Sequence, residues 1–325
     1  MSDFRFVCWY WRGRPICAYA GGAVRERVAA LALFPRTSMR RCWLYGLMQW
    51  TVRLGLDRFV TRVTDAPDAL LSAEECCELV KRIGQCYGGE AVEWLITWPA
   101  MATRRRLYLV YRIPARSVVG VAKIGAGTFN QRQLENEAAM LARLADGVHP
   151  FGVPALRRKE SWTADRTVLV IDGFPVMHRP CSGREAKEAA NMICAHLHLL
   201  DVPRRRVMLR DVAWGGEATG LYEAFDAVFA HGDLGPGNIT MMPDGRVLLY
   251  DWENACCEAP RETDRIGFWL ACNQRAVLRE PQEAFVNLRR EYAAVPEADV
   301  RLALVFLAAH DNLAASRMLR GIVNR

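Results

Sequence analysis

The most informative part of this chain reads His231-Gly-Asp-Leu-Gly-Pro-Gly-Asn-Ile239, and Tyr250-Asp-Trp-Glu253 follows it closely. Between these stretches, residues 239–241 and 246–250 form two short apolar runs separated by Pro243-Asp-Gly245. This pattern predicts a β-hairpin. Because a hairpin turns the chain back on itself, Asn238 and Asp251 at its open end should lie side by side.

Three side chains in these stretches have the chemistry that a phosphoryl transfer needs. Asp233 can accept the proton of an attacking hydroxyl, whereas Asn238 and Asp251 offer hard oxygen ligands. Such ligands suit the Mg²⁺ that neutralises the phosphates of ATP. The residues therefore predict one catalytic carboxylate beside two metal ligands.

This stretch resembles the aminoglycoside phosphotransferase and choline kinase group, small-molecule relatives of the protein kinases, whose pattern HGDxxxxN is matched in full from His231 to Asn238. The resemblance implies that Asp233 is the catalytic base, that Asn238 and Asp251 bind Mg²⁺, and that His231 braces the loop. It also implies that Asp264, in a return segment one residue longer than the family's, ties that segment back to the loop. The fold implied is α+β and bilobal, protein-kinase-like, with a small antiparallel N-lobe and a larger, mainly helical C-lobe.

A second set of candidates lies upstream. Residues 117–124 form a β-branched run that carries Lys123, one of only four lysines beside thirty-nine arginines. This run resembles the kinase strand whose lysine binds the α- and β-phosphates. The acid that pairs with Lys123 is expected on the following helix. Glu137 fits the family pattern and is the choice, whereas Glu135 is the alternative and is interpreted as a solvated surface acid.

The apolar run 166–171 resembles the last strand of the N-lobe, and Asp172-Gly173-Phe174 after it resembles the hinge at which adenine binds. One departure from the family concerns the nucleotide-covering loop, because residues 99–106 contain no glycine. Glycines let backbone amides approach phosphates closely. Arg104, Arg105 and Arg106 could grip phosphates instead, or they could form an ordinary solvated turn.

The resemblance begins near residue 90, so we expect an N-terminal extension at 1–89, an N-lobe at 90–173 and a C-lobe at 174–325. Through Thr64 the chain has eleven basic and three acidic residues, a net charge of +8, whereas the whole chain has +7. Helices are expected at about 23–33 and 38–59. In the second, Trp43, Leu47, Trp50 and Leu54 share one face.

Two interpretations of this aromatic stripe remain open. The favoured one is that it packs on a neighbouring domain, and the alternative is that residues 1–64 meet an anionic membrane surface or a lipid-linked acceptor. Nucleic acid is not an expected partner, because no nucleic-acid-binding motif accompanies the arginines. A further helix is expected after Ser72, and Ser72-Ala-Glu-Glu75 is expected to form the capping box at its start.

Sequence features also indicate the cellular compartment in which the protein is expected. The sequence offers no recognisable leader and no apolar run long enough to span a bilayer, so we expect a cytoplasmic protein, with peripheral membrane association as the alternative. Its eleven cysteines show no metal or disulfide framework and are expected to be reduced. The oligomeric state is left open.

The sequence therefore predicts an enzyme, an ATP- and Mg²⁺-dependent phosphotransferase that acts on a hydroxyl of a small molecule such as a sugar, a glycoside or an aminoglycoside-like compound. Two alternatives stay open. One is a catalytically weak, kinase-like nucleotide-binding scaffold, and the other is a peripheral-membrane kinase of a lipid-linked or cell-envelope glycan. The identity of the acceptor is not encoded in any motif.

Overall fold

The computed structural model divides the chain into two compact units. The sheet unit comprises Met1–Gly147 and Val153–Arg179, and the helical unit comprises Val148–Gly152 and Pro180–Arg325. The residues that the structure describes are 5–11, 14–34, 39–66, 68–98, 105–173, 179–181, 183–200, 206–208, 213–214, 217–218, 224–242, 244–310 and 312–323.

Eight strands of the described residues form one sheet in the sheet unit, in the order β3-β1-β2-β4-β5-β6-β8-β7, with antiparallel neighbours throughout. The strands are β1 Phe6–Trp11, β2 Arg14–Ala20, β3 Thr61–Thr64, β4 Glu93–Thr97, β5 Arg106–Ile113, β6 Val118–Ala126, β7 Ala155–Thr163 and β8 Arg166–Asp172. The central strands are rich in β-branched and aromatic residues, which favour pleated, buried surfaces.

Helices complete the sheet unit. They are α1 Val24–Leu31, α2 Met39–Arg53, α3 Ala73–Gln85 and α4 Thr128–Leu144. The predicted capping box starts α3: the Glu75 amide donates to Ser72 Oγ at 3.2 Å, and the Ser72 amide donates to Glu75 Oε2 at 2.9 Å. The apolar face of α3 packs into a core shared with the sheet, through Cys76, Leu79 and Ile83.

The sheet runs across the boundary predicted at residue 89. β2 pairs with β4 through Cys17 opposite Thr97 and Ala18 opposite Ile96. The predicted extension thus contributes β1, β2 and β3 to the same sheet that carries Lys123 on β6. The two predicted helices of the extension correspond to α1 and α2, each shorter than expected, and a 3₁₀ turn at Asp57–Phe59 follows α2.

The helical unit contains α5 Gly183–Leu197, α6 Thr263–Cys272, α7 Gln274–Arg279, α8 Pro281–Glu291, α9 Glu297–Ala309 and α10 Leu313–Val323. α6 to α10 share a core that includes Leu270, Leu288, Leu304 and Met318. Short strands accompany them: β9 Arg179–Pro180 at the junction of the units, β10 Arg206–Met208, β11 Ala213–Trp214, β12 Glu217–Ala218, β13 Ala224–Asp226, β14 Val228–Ala230, β15 Ile239–Met241, β16 Val247–Leu249 and β17 Cys256–Ala259.

This combination of an antiparallel sheet with a mainly helical second unit confirms the predicted α+β class. Near the C-terminus, α9 ends at Ala309 and α10 begins at Leu313. All eleven cysteines lie in described positions, and each is a free thiol. Among the helices of the described residues, none has the length and hydropathy needed to cross a bilayer.

Candidate functional site

The predicted hairpin is present in the helical unit. β15 and β16 pair antiparallel, with Ile239 opposite Leu249 and Met241 opposite Val247. At the open end of the hairpin the Tyr250 amide donates to the Asn238 carbonyl at 3.2 Å. The hairpin therefore brings Asn238 and the residue before Asp251 into direct contact, as the spacing predicts.

Asn238 also orients Asp233. Its Nδ2 donates to the Asp233 carbonyl at 2.8 Å and to the Asp233 carboxylate Oδ2 at 3.2 Å. Both acceptors are oxygens, so the amide must present its NH₂ to them. Its Oδ1 then points elsewhere, and no donor among the described residues bonds to it. Asp233 itself is exposed, so a small molecule can reach its carboxylate.

His231 braces the loop from its interior. It is fully buried, its ring lies 4.7 Å from the Trp252 ring, and its Nδ1 accepts the Asp233 amide at 3.3 Å. Nδ1 must therefore be unprotonated, so Nε2 carries the hydrogen and donates to the Tyr250 carbonyl at 3.1 Å. One imidazole thus links the start of the loop to the end of the hairpin.

Asp264, at the start of α6, holds the same loop from the other side. Its carboxylate accepts the His231 amide at 2.7 Å and the Gly232 amide at 2.9 Å. Burial raises the pKa of this carboxyl to about 6, although the two amides favour the charged form. Gly232 has φ +77°, and a Cβ there would lie 2.1 Å from the Asn254 carbonyl, so only glycine fits.

Asp251 follows the hairpin in a left-handed conformation, with φ 71° and ψ 57°, and begins a 3₁₀ turn over Trp252–Asn254. This conformation is uncommon for a residue other than glycine, and aspartate is among the residues that tolerate it. The turn brings the buried Glu253 close, because carboxylate oxygens of Asp251 and Glu253 lie within 4.8 Å of each other. Sequence analysis missed Glu253, although the Asp-Trp-Glu spacing could have revealed it.

The sheet unit contains the second set of candidates. Lys123 lies on β6, opposite Tyr108 on β5 and Leu169 on β8. Its Nζ donates to both carboxylate oxygens of Glu137 on α4 at 2.8 Å, and both side chains are buried. Glu135, the alternative anchor, is exposed on the same helix. Burial of α4 on the sheet through Leu134, Ala138 and Leu141 sets this orientation.

Asp172 and Gly173 close β8. Asp172 accepts hydrogen bonds from Arg157 and, at 3.4 Å, from the Tyr87 hydroxyl, which also contacts the Tyr111 hydroxyl at 3.0 Å. The hydrogen bond to Asp172 raises the pKa of Arg157, and burial raises the pKa of Tyr87. Gly173 has φ +80°. Phe174 lies outside the described residues.

The arginines of the predicted nucleotide loop do not behave alike. Arg104 lies outside the described residues, and Arg105 is exposed, 4.0 Å from Asp165. Arg106 begins β5 and is fully buried, and its Nη2 donates to Gln133 Oε1 at 2.8 Å. Neither predicted role fits Arg106, because a buried side chain held by α4 is neither a solvated turn nor an open phosphate ligand.

His198 lies just after α5 and is partly buried. Its pKa is lowered to about 4, first because it is partly buried and then because Arg261 and Arg265 are nearby. The neutral form therefore persists well below neutral pH. His149 and His196 contact each other at 2.9 Å between ring nitrogens, an arrangement that no sequence pattern indicated.

The solved structures that the chain resembles include phosphotransferases and a protein described as a kinase. Aminoglycoside phosphotransferase APH(4)-Ia with AMP-PNP and hygromycin B is 10% identical, with TM-score 0.47 over 76% of this chain and 98% of that one. A Haemophilus somnus protein described as a fructosamine-3-kinase is 13% identical, with TM-score 0.44 over 76% and 96%. Spectinomycin phosphotransferase APH(9)-Ia with ADP and spectinomycin is 10% identical, with TM-score 0.42 over 75% and 93%.

These proteins include members of the group that the His231–Asn238 motif resembles. No family model and no curated relative matches the chain. At such low identity the functional conclusion has to come from the chain's own side chains.

Proposed function

We propose that this protein is an ATP- and Mg²⁺-dependent phosphotransferase acting on a hydroxyl of a small molecule. The observation that carries the proposal is the contact between Asn238 Nδ2 and the exposed Asp233 carboxylate, at the open end of the hairpin that leads to Asp251. A sugar, a glycoside or an aminoglycoside-like compound is the acceptor class we infer.

Asp233 is the base in this proposal. The acceptor oxygen forms a bond to the γ-phosphorus of ATP while the bond from that phosphorus to the β,γ-bridging oxygen breaks and ADP leaves. The hydroxyl proton passes to the Asp233 carboxylate. Asn238 fixes the direction of that carboxylate, and the bonds of His231 and Asp264 fix the backbone beneath it. Positioning of this kind supplies much of the rate in phosphoryl transfer.

The donor set supports Mg²⁺ as the cofactor. The Oδ1 of Asn238 points away from the bonds that Nδ2 makes, and the carboxylates of Asp251 and Glu253 lie near each other. Hard oxygen ligands of this type fit Mg²⁺. Asn238 and Asp251 are the ligands that we propose, and the bound ion would neutralise phosphate charge.

In the sheet unit, Lys123 is the residue that we propose for binding the α- and β-phosphates, with Glu137 as its anchor. The contact of Nζ with both oxygens of Glu137 fixes the ammonium at the end of a flexible side chain. Asp172, Gly173 and Phe174 are proposed to flank the adenine. The backbone bond from the Gly173 amide to the Val119 carbonyl at 2.9 Å holds this turn against β6.

Two measurements test the proposal. The melting temperature of the full chain should rise with ATP and Mg²⁺ together by more than with ATP alone. A screen of ATP consumption over sugars, glycosides and aminoglycosides should then identify an acceptor. Asp233→Asn should abolish consumption, whereas Asp244→Asn, a matched change of an exposed aspartate in the hairpin turn, should not.

The scaffold alternative predicts a different result. The burial of Arg106 removes one of the arginines that could have replaced the missing glycines near phosphates, and this observation favours weak catalysis. Nucleotide binding without consumption on any acceptor would support the scaffold. Consumption that persists in Asp233→Asn would contradict the role that we assign to Asp233.

A further inference from the structure

The aromatic stripe on α2 faces solvent. Trp43 is 65% exposed and Trp50 is 59% exposed, and Leu47 and Leu54 of the same stripe are exposed as well. The opposite face of the helix is the buried one, with Met48 fully covered. Within the sheet unit, the stripe therefore does not pack as the favoured expectation had it: α2 has apolar side chains on both its buried and its exposed face, and the aromatic side is the exposed one.

The exposed apolar surface continues beyond the helix into the 3₁₀ turn and β3, which is an edge strand of the sheet. Phe59 is 72% exposed. We call the whole set the 43–63 face, and its exposed apolar members are Trp43, Leu47, Trp50, Leu54, Leu56, Phe59, Val60 and Val63. Single exposed apolar side chains are ordinary, but eight within twenty-one residues mark an interaction surface.

The charge of the segment that carries this face is predominantly positive. Residues 39–64 contain five arginines and a single acid, Asp57. Asp57 is buried in an ion pair with Arg27, so its charge is compensated within the fold. Arg53, Arg58 and Arg62 are exposed. The Arg58 guanidinium lies 4.9 Å from the centre of the Phe59 ring, so cation and aromatic side chain are presented together.

We propose that the 43–63 face binds an anionic membrane surface. Tryptophan and phenylalanine beside arginine are the side chains that settle at the headgroup level of a bilayer, with the rings toward the acyl boundary and the guanidinium groups at lipid phosphates. A second copy of the chain fits less well, because two such faces would bring the three exposed arginines of one copy against the three of the other. The proposal is independent of the phosphotransferase activity, since binding to lipid needs no turnover.

The test is flotation of the full chain with vesicles. The protein should float with phosphatidylcholine vesicles that contain phosphatidylserine, and it should remain at the bottom with phosphatidylcholine alone. Trp43→Ser combined with Trp50→Ser should abolish flotation. The matched control is Leu199→Ser combined with Val286→Ser, two exposed apolar positions in the helical unit, which should float like the wild type.

A second variant tests the charge separately. We expect a triple variant to bind anionic vesicles more weakly, with Arg53→Gln, Arg58→Gln and Arg62→Gln combined. Each substitution should lower the membrane partition coefficient about fivefold, so the triple variant should lower it about 100-fold. These residues are exposed, so the circular dichroism spectrum and the melting temperature should match those of the wild type. Raising the salt concentration should also weaken the binding of the wild type to anionic vesicles, because salt screens the attraction between arginine and lipid phosphate.

Three results would overturn the proposal. The first is no flotation of the wild type with the anionic vesicles. The second is flotation that the tryptophan variant and the control variant retain equally. The third is a wild-type dimer in sedimentation velocity that the tryptophan variant converts to a monomer, because the face would then be covered by a second copy. Asp233→Asn should float with the anionic vesicles as the wild type does. This result would show that membrane binding can be tested independently of the proposed phosphotransferase activity.

Discussion

Asp264 and Asp233 are both aspartates of the helical unit, but they differ in burial and in hydrogen bonding. Asp264 is buried and accepts the amides of His231 and Gly232, whereas Asp233 is exposed and is contacted by Asn238. The first carboxylate is fully used in holding the backbone. The second is open to solvent, and the first holds the backbone at the start of the loop that carries it.

The sheet unit repeats this contrast on one helix. Glu137 is buried and bonded to Lys123, whereas Glu135 on α4 is exposed. In both units a buried acid is held by specific donors, whereas a second acid is exposed. Burial and specific bonding therefore mark the acids that hold structure, and mutations can test each side of the contrast.

The largest expected loss of stability follows Glu137→Gln. The change leaves the buried Lys123 ammonium without its carboxylate, and breaking a buried ion pair typically costs about 3 to 5 kcal/mol. Glu135→Gln, the same change on the exposed side of α4, should stay within about 0.5 kcal/mol of the wild type. Urea unfolding gives both values. Equal losses in the two variants would remove the distinction between the two glutamates.

Asp264→Ala should cost about 2 to 4 kcal/mol at pH 7, because two buried amides lose their acceptor. Proteolysis should also become faster within the loop that begins at His231. Asp244→Ala is the comparison, since Asp244 is an exposed acid of the same unit whose side chain bonds to the nearby Arg246. A loss no greater than that of Asp244→Ala would mean that Asp264 does not hold the loop.

The stability that Asp264 confers should also depend on pH. Its folded pKa is about 6, raised by burial above the ordinary value of 3.8. Between these values the folded chain keeps a proton that the unfolded chain has lost, so the free energy of unfolding falls as pH rises through this window. The difference in unfolding free energy between wild type and Asp264→Ala should therefore be about 2 kcal/mol larger at pH 4.5 than at pH 7. A pH-independent difference would contradict the raised pKa.

Sequence reasoning reached the parts of this site that depend on local spacing. The hairpin between Asn238 and Asp251 follows from two strands and a turn, and the helical periodicity of α4 turns Glu137 inward. Apart from the tie of Asp264 to the loop, which the family resemblance implied, it did not reach contacts between distant segments. The Tyr87–Asp172 bond joins residues eighty-five positions apart, and no local pattern encodes it. Likewise, periodicity placed Trp43 and Trp50 on one face of a helix but could not say which neighbour, if any, covers that face.

A smaller effect is expected at Ser72, an exposed polar residue that nevertheless holds structure as the N-cap of α3. Ser72→Ala should cost about 1 kcal/mol, because the Glu75 amide loses its acceptor. Ser161→Ala, an exposed serine on the edge strand β7, is the control and should change little. If the two variants unfold at the same urea concentration, the capping box contributes nothing measurable.

Asp233→Asn should have the smallest effect on stability and the largest on chemistry, and it tests the central claim most directly. The variant and the wild type should unfold within about 0.5 kcal/mol of each other and bind ATP with Mg²⁺ equally well. With the acceptor identified by the screen, turnover should fall by about a thousandfold, because asparagine has nearly the same shape as aspartate but cannot act as the base. Turnover near that of the wild type would contradict the assignment of Asp233 as the catalytic base.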